Sequence, residues 1–129
     1  MVLHFAMPKK PSTRAFKTPW FSKAARKAHI GDPALIAAIR EVMQGQADDL
    51  GGGVFKKRLN DNMHRSIVLA KGGRHWVFAY LFAKKDRANI DDDELVDFKK
   101  LAQAYGRIAD SELGAALSQG ELLELCDEE

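Results

Sequence analysis

The 129-residue sequence predicts an α+β fold, in which an N-terminal helix hairpin packs on a twisted antiparallel sheet of about four strands and helices follow at the C-terminus. Three patterns predict this class. Apolar residues recur at helical spacing between residues 20 and 43, three runs of β-forming residues occupy residues 54–82, and helical spacing returns after residue 91. Strands that follow one another this closely pair antiparallel, and helices grouped before and after them are typical of α+β domains.

The first predicted elements are a short strand and two helices. Arg14–Thr18 alternates as a strand does, and Pro19 suits the first turn of a helix because its missing N–H would have no partner there. An apolar face then predicts a helix that ends near Gly31: Trp20, Phe21, Ala24, Ala25 and Ala28. Asp32-Pro33, an N-cap followed by proline, starts a second helix that ends at Gly45 and has its apolar face at Leu35, Ile36, Ile39, Val42 and Met43.

The predicted sheet follows Gly51-Gly52-Gly53, which we interpret as a flexible entry to a strand rather than a phosphate-binding loop. Turn residues, among them a Gly-Gly pair typical of hairpins, separate three strands at Val54–Leu59, Arg65–Lys71 and His75–Phe82. In the last strand, alternation predicts that Trp76, Phe78, Tyr80 and Phe82 share one face. We expect these four rings to be core rather than a surface that stacks RNA bases.

The C-terminal part is predicted to be helical. Asp91–Glu94 places four carboxylates where the dipole of a following helix favours negative charge. The apolar face of that helix consists of Leu95, Phe98, Leu101, Ala102 and Tyr105. Asp110 or Ser111 caps a further short helix, and Gly120 ends it.

Length and composition favour one globular domain over residues 16–125, preceded by a loose extension at residues 1–15 and followed by an acidic tail at residues 126–129. Met1 and Met7 are both possible start residues. No apolar run approaches the ~20 residues that span a bilayer, so we expect no membrane partner. A lone cysteine, Cys126, fits a reducing compartment and predicts a cytoplasmic protein. No metal-ligand spacing or cofactor motif occurs, so we expect neither a metal nor a small-molecule cofactor.

The formal charge of +2 conceals two segments of opposite sign. Residues 51–90 hold nine Lys and Arg residues and only two acids, a net charge of +7, whereas residues 91–129 carry −9. A basic sheet segment followed by an acidic helical segment favours a partner that bears phosphates, because clustered cations raise the local concentration of anions.

Strand alternation sorts the basic residues by face. Lys56 and Arg58 point away from the apolar face, Lys57 shares that face and reaches out at its edge, and Arg65 lies near the start of the next strand. A further basic cluster follows the last strand and consists of Lys84, Lys85 and Arg87. All of these cations could converge on one concave surface of the sheet, although a solvated outer face is an equal alternative. Lys71 and Arg74 flank a hairpin turn and are typical of general attraction to nucleic acid.

Three blocks of sequence resemble the RelE/ParE superfamily of type II toxin–antitoxin toxins, and they are most similar to its HigB-like branch. The blocks are residues 16–21 (FKTPWF), 51–58 (GGGVFKKR) and 82–90 (FAKKDRANI), and the similarity extends from Phe16 to Leu125. The resemblance implies a RelE-like fold and, for many relatives, cleavage of mRNA in the ribosomal A site. It also implies a cognate antitoxin, expected to be a helix-turn-helix protein encoded beside the toxin.

The same resemblance implies which residues act. The family's catalytic positions fall on Lys56, Arg58, Arg65, Lys84, Lys85 and Arg87, with Lys57, Lys71 and Arg74 as further RNA-binding residues. Attack by a ribose 2′-OH needs a proton acceptor, charge stabilisation and a proton donor, for which Lys56, the arginines and Lys84 or Lys85 are the candidates. His64 and His75 are alternative acid–base groups, but surface histidines are the commoner interpretation.

Some relatives carry a tyrosine a few residues after the last basic cluster, where this sequence reads Asn89-Ile90-Asp91. Two alternatives therefore stay open. One is a ParE-like inhibitor of DNA gyrase that catalyses no reaction, and the other is an inactive relative that only binds nucleic acid.

Overall fold

The computed structural model describes residues 13–72 and 74–125. The helices are α1 (Pro19–Lys27), α2 (Asp32–Met43), α3 (Asp92–Gly106) and α4 (Asp110–Ser118). The strands are β1 (Arg14–Lys17), β2 (Asp48–Gly51), β3 (Val54–Leu59), β4 (His64–Lys71), β5 (His75–Ala83) and β6 (Leu123–Glu124). The α+β class and the predicted helices are confirmed. The predicted extension and tail, with Cys126, lie largely outside the described residues.

The sheet is larger and less regular than predicted. Its strand order is β2-β3-β4-β5-β1-β6, and within the described residues β1 pairs with β5 in parallel whereas the other neighbours are antiparallel. The prediction of about four antiparallel strands was therefore wrong. Two of the strands escaped it because Asp48–Gly51 has few β-forming residues and Leu123–Glu124 is only two residues long, so their pairing comes from tertiary contacts.

Helices cover both faces of the sheet and give it two cores. On one face, Phe21 of α1 and Leu35 of α2 pack with Val68 and Phe78. On the other face, α3 and α4 pack with strand residues through the side chains Val54, Ile67, Val77, Ala102 and Leu113. The predicted helix hairpin thus lies over one face only, and the C-terminal helices occupy the opposite face.

A β-bulge in β5 changes which aromatic rings share a face. The pairing of β4 with β5 shifts between Ile67 and Val68, so that Ile67 lies opposite Tyr80 while Val68 lies opposite Phe78. Trp76 and Phe78 consequently pack under α1 and α2, whereas Tyr80 and Phe82 pack on the α3 side. The predicted single aromatic face was wrong, because a bulge adds one residue and reverses the alternation beyond it.

The glycine triplet forms the tight turn from β2 to β3. Gly51, Gly52 and Gly53 all have positive φ angles, of 89°, 61° and 83°. A Cβ on Gly52 would lie 2.7 Å from the Cγ of Lys99 in α3. The turn therefore needs glycine both for its backbone conformation and for the close approach of α3. No helix among the described residues is long and apolar enough to cross a membrane.

Candidate functional site

Three of the predicted catalytic cations lie on the sheet face that α3 partly covers. Arg58 is directly opposite Arg65 across β3 and β4, and Lys56 is opposite Ile67, whose side chain belongs to the core under α3. Arg58 is exposed, and it has no side-chain hydrogen bond or ion pair within residues 13–72 and 74–125. Two like charges placed directly opposite one another destabilise a sheet, so this arrangement favours the presence of an anion.

The turn from β3 to β4 holds Arg65 in place. Asn60, Asp61 and Asn62 have consecutive φ angles of 56°, 53° and 70°, a left-handed backbone that asparagine and aspartate tolerate better than most residues. Within this turn, the carbonyl of Asn62 accepts a hydrogen bond of 3.0 Å from Nη1 of Arg65. The carbonyl of His64 accepts a second bond of 3.2 Å from the same nitrogen. Both bonds use Nη1, so within the described part of the chain Nη2 stays free to bind a ligand.

Arg87 is fixed more firmly than the other cations. Its Nη1 and Nη2 donate to the two carboxylate oxygens of Glu94, at 3.0 and 2.5 Å, and its Nε donates to the carbonyl of Asn89 at 2.9 Å. The hydrogen bonds to Glu94 and then Tyr80 raise the pKa of Arg87, and the bond from Arg87 lowers that of Glu94. Because Glu94 also caps the N-terminus of α3, this helix and the Arg87 guanidinium are positioned together.

Asn89 connects Arg87 to the sheet. Its side-chain Oδ1 accepts a hydrogen bond of 3.3 Å from Nζ of Lys56, while its carbonyl is bound by Arg87. Lys56 also lies near the carboxylate of Asp48, with 3.9 Å between Nζ and Oδ2. Lys56 and Arg87 therefore meet at one residue, although 31 positions separate them in the sequence (87 minus 56).

Tyr80 is a site residue that the sequence interpretation missed, because strand alternation assigned it to the core. The bulge turns it to the α3 side, where its hydroxyl oxygen accepts a hydrogen bond of 3.2 Å from Nη1 of Arg87. The guanidinium of Arg87 lies 5.5 Å from the centre of the Phe82 ring and 6.0 Å from that of Tyr80. A phenol thus lies beside the basic cluster, although no tyrosine occurs in the few residues that follow that cluster in the sequence. Nothing in the sequence of residues 78–82 (FAYLF) indicates a β-bulge.

Lys84 and Lys85 lie at the edge of this surface. They line a groove between α1 and the end of β5, together with His64, Lys27 and, at its other end, Arg87. Arg87 is therefore the residue through which the sheet face and this groove join. The side chains of Lys84 and Lys85 are exposed, and neither forms an ion pair with another described residue.

The remaining predicted RNA-binding residues are not brought into this cluster. Lys57 is buried on the opposite face, where its Nζ binds Glu41 at 2.7 Å and the carbonyl of Gln46 at 2.9 Å. Lys71 is buried at the far end of β4, with its Nζ 3.1 Å from the carbonyl of Ile108. Arg74 is exposed in the β4–β5 turn, about 30 Å along β5 from Lys84 at ~3.3 Å per residue.

The described residues contain no group of three or more His, Cys, Asp or Glu side chains arranged to hold a metal ion. His75 is buried, its Nδ1 has no hydrogen-bond partner among the described residues, and burial lowers its pKa. It lies at the Arg74 end of β5, away from the cluster of Lys56, Arg58, Arg65 and Arg87.

Comparison with known proteins identifies the family. The family model described as the RelE toxin of the RelE / RelB toxin-antitoxin system matches residues 13–125, which is most of the chain. No curated protein matches, and no solved structure matches. The HigB-like branch remains a prediction. The chain belongs to the RelE family of toxins of toxin–antitoxin systems.

Proposed function

We propose that this toxin is an endoribonuclease of the HigB-like branch that cleaves mRNA in the ribosomal A site and so stops translation. The single observation that carries the proposal is the cluster of Lys56, Arg58, Arg65 and Arg87 around one face of the sheet, with the phenol of Tyr80 beside it. Membership of the RelE toxin family supports it, because toxins of this family are generally endoribonucleases.

The reaction we propose is attack of a ribose 2′-oxygen on the adjacent phosphorus. The O2′–P bond forms, the P–O5′ bond breaks, and the products are a 2′,3′-cyclic phosphate and a 5′-hydroxyl. Arg58 and Arg65 bind the non-bridging oxygens, since a planar guanidinium fork matches phosphate, and they stabilise the charge that builds up on the phosphorane.

Lys56, in its neutral form, accepts the proton of the 2′-hydroxyl. Among the described residues, its Nζ contacts an amide oxygen at 3.3 Å and a carboxylate oxygen at 3.9 Å, so the nitrogen keeps a position open to the 2′-hydroxyl. Tyr80 is one donor to the departing 5′-oxygen, because a hydroxyl that accepts a hydrogen bond from Arg87 still has its own proton to give. Lys84 and Lys85, at the edge of the cluster, are the alternative donors.

Arg87 serves chiefly to position other groups. Four of its N–H contacts go to Glu94, Asn89 and Tyr80, so it has little capacity left for a phosphate. Its hydrogen bond orients the Tyr80 hydroxyl beside the other cations.

A cognate antitoxin follows from the family. We propose that it is a helix-turn-helix protein encoded beside the toxin gene. It would inhibit by covering the basic sheet face or by displacing α3, which carries the Glu94 partner of Arg87.

The test is induction of the wild type, Arg65→Ala and the control Arg74→Ala in cells, with 5′ ends of translated mRNAs mapped by primer extension. Loss of a group that stabilises transition-state charge slows catalysis by about 10²–10³-fold. We therefore expect in-frame cleavage and growth arrest with wild type and Arg74→Ala, but neither with Arg65→Ala. Thermal melting of purified Arg65→Ala should show that it is folded.

Three results would contradict the proposal. A fully toxic Arg65→Ala would remove that residue from the mechanism. Intact mRNA accompanied by an SOS response would indicate a ParE-like gyrase inhibitor, and the absence of any growth effect would indicate an inactive nucleic-acid-binding relative.

A further inference from the structure

The groove between α1 and the end of β5 has an exposed aromatic ring at its mouth. Trp20 is 53% exposed, and its ring stacks on Tyr80 with 5.1 Å between the ring centres and an interplanar angle of 27°. An exposed tryptophan with one face supported by another ring leaves its second face open to a planar ligand. The sequence interpretation had assigned Trp20 to the buried face of α1, so this exposure was not predicted.

Trp20 is held rigidly. The Oγ1 of Thr18 caps α1 by accepting a hydrogen bond of 3.0 Å from the N–H of Phe21, and Pro19 occupies the first turn. Tyr80 is in turn fixed by its bond to Arg87 and by ring contacts with Phe82 and Phe98. A ring that is already ordered loses little entropy when a ligand stacks on it.

The walls of the groove are basic. Lys23 and Lys27 of α1 line one wall of the groove beside Trp20, and Lys85 lines the opposite wall. Lys84 lines the adjoining part of the groove, which shares Lys27 and Lys85 with the first. Asp61 and Asp86 are the acids among the lining residues, against five cations when Arg87 is included. None of the four lysines forms an ion pair or side-chain hydrogen bond with another residue of the described ranges. Free cations around an exposed aromatic ring are typical of surfaces that bind single-stranded nucleic acid.

The groove is continuous with the proposed catalytic face. Arg87 lines it, and Tyr80 contributes its ring to the groove and its hydroxyl to the Arg87 contact. The part of the groove lined by Trp20, Tyr80 and Arg87 measures about 560 Å³, which is large enough for a nucleotide. One RNA strand can therefore run from the cluster of basic residues past Arg87 and Tyr80 to the ring of Trp20.

We propose that Trp20, supported by Tyr80, stacks a base that flanks the scissile phosphate, and that Lys23, Lys27, Lys84 and Lys85 bind the backbone of that RNA strand. The inference rests on the proposed function for the identity of the strand. The site selects an unpaired base, since only an unpaired base offers a free face to the indole.

The test measures binding of a short single-stranded RNA whose 2′-hydroxyls are methylated so that it is not cleaved. Wild type, Trp20→Phe and Trp20→Leu are compared on the intact oligonucleotide and on a set in which one position at a time is abasic. Because stacking on an aromatic side chain contributes about 5- to 150-fold to affinity per base, Trp20→Leu should weaken binding of the intact oligonucleotide by a factor in that range. Trp20→Phe should weaken it less.

One abasic position should remove the difference between wild type and Trp20→Leu, because both variants then lack the same contact. In addition, Lys23→Gln should lower the slope of log affinity against log salt by about 0.7, while the control Arg74→Gln should leave it unchanged. Trp20 is exposed, so Trp20→Leu should melt near the wild-type temperature.

Equal binding by wild type and Trp20→Leu at every position would overturn the inference. Loss of antitoxin binding by Trp20→Leu with RNA binding intact would also overturn it, by making this surface a protein interface. These outcomes are separate from the proposed function. If mRNA is cleaved in cells but Trp20→Leu does not change RNA binding, the nuclease proposal stands and the base-stacking proposal is wrong. If the abasic test is positive but no mRNA is cleaved, the base-stacking proposal stands and the nuclease proposal is wrong.

Discussion

Replacing Arg58 by glutamine should make the protein more stable while removing its activity. Arg58 and Arg65 are directly opposite on neighbouring antiparallel strands, and Arg58 has no bonded partner among the described residues. Opposed residues have Cβ atoms roughly 4.5–5.5 Å apart. Arg65 is bound to two carbonyl groups and so cannot move freely away from Arg58.

The size of the effect follows from Coulomb's law. If the two guanidinium groups spread to about 7 Å, their repulsion is ~0.6 kcal/mol at the dielectric constant of water and ~2.4 kcal/mol at an effective value of 20. Arg58 is exposed, so the lower end applies. We expect Arg58→Gln to raise the free energy of unfolding by about 0.5–1 kcal/mol, or the melting temperature by roughly 2–5 °C.

The assay is urea unfolding of wild type, Arg58→Gln, Arg65→Gln and the double variant. The double-mutant cycle separates the Arg58–Arg65 repulsion from the loss of the two Arg65 hydrogen bonds. The coupling should be repulsive at 50 mM salt and should nearly vanish at 1 M, where the Debye length is about 3 Å. Arg74→Gln is the control for the loss of one exposed positive charge. Inorganic phosphate should stabilise wild type more than Arg58→Gln, because an anion between the guanidinium groups removes the repulsion.

A coupling of zero, or one that does not change with salt, would refute the reasoning. So would equal stabilisation of wild type and Arg58→Gln by phosphate, because the two arginines would then not form an anion site.

Two further predictions concern pH. Glu94→Gln should destabilise the protein at pH 7, because Arg87 lowers the pKa of the Glu94 carboxylate and the pair stabilises the folded state. This contribution is present above the unfolded-state pKa of the carboxylate and is lost as the pH falls through its folded-state pKa. The stabilities of wild type and Glu94→Gln should therefore converge in acid, and a difference that stays constant with pH would contradict this. Burial lowers the pKa of His75 below 6.5, so the unfolded state binds the proton more readily and stability should fall as the pH drops below 6.5. In His75→Gln the melting temperature should lose this dependence on pH. An identical change of melting temperature with pH in both proteins would count against the prediction.

The helices were predictable from sequence because most of them begin at a local signal. Thr18 and Asp91 cap helices with their own side chains, and Pro19 and Pro33 occupy first turns. The predicted caps of two helices were wrong, since Gly31 rather than Asp32 is the N-cap of α2, and Ala109 rather than Asp110 or Ser111 is the N-cap of α4. The charge division was predictable as well, since it depends only on composition. Alternation placed Lys56 and Arg58 on one face because β3 pairs regularly with β4, whereas a common basic site that includes Arg65 was one of two equal alternatives.

The parts that escaped prediction depend on tertiary contacts. Nothing in the run Trp76–Ala83 marks Ala79 as the extra residue of a bulge, and so the position of Tyr80 could not be read from it. Alternation placed Lys57 on the face opposite Lys56 and Arg58, but its burial there against Glu41 and the carbonyl of Gln46 depends on a different segment of the chain. Family resemblance places basic residues along the chain, but it does not say which partner each one has already bound.

The opposite charges of residues 51–90 and 91–129 are in contact in the folded protein, and the contact defines the site. The acidic first turn of α3 meets the basic segment through Glu94 and Arg87. This pairing satisfies Arg87, whereas Arg58 and Arg65 face each other on the same side of the sheet. Because an unbalanced pair of arginines costs stability, and no described acid pairs with Arg58 or Arg65, an external anion at this point would relieve the repulsion. The docking of α3 therefore determines which cations are held by the protein and which remain open to a phosphate.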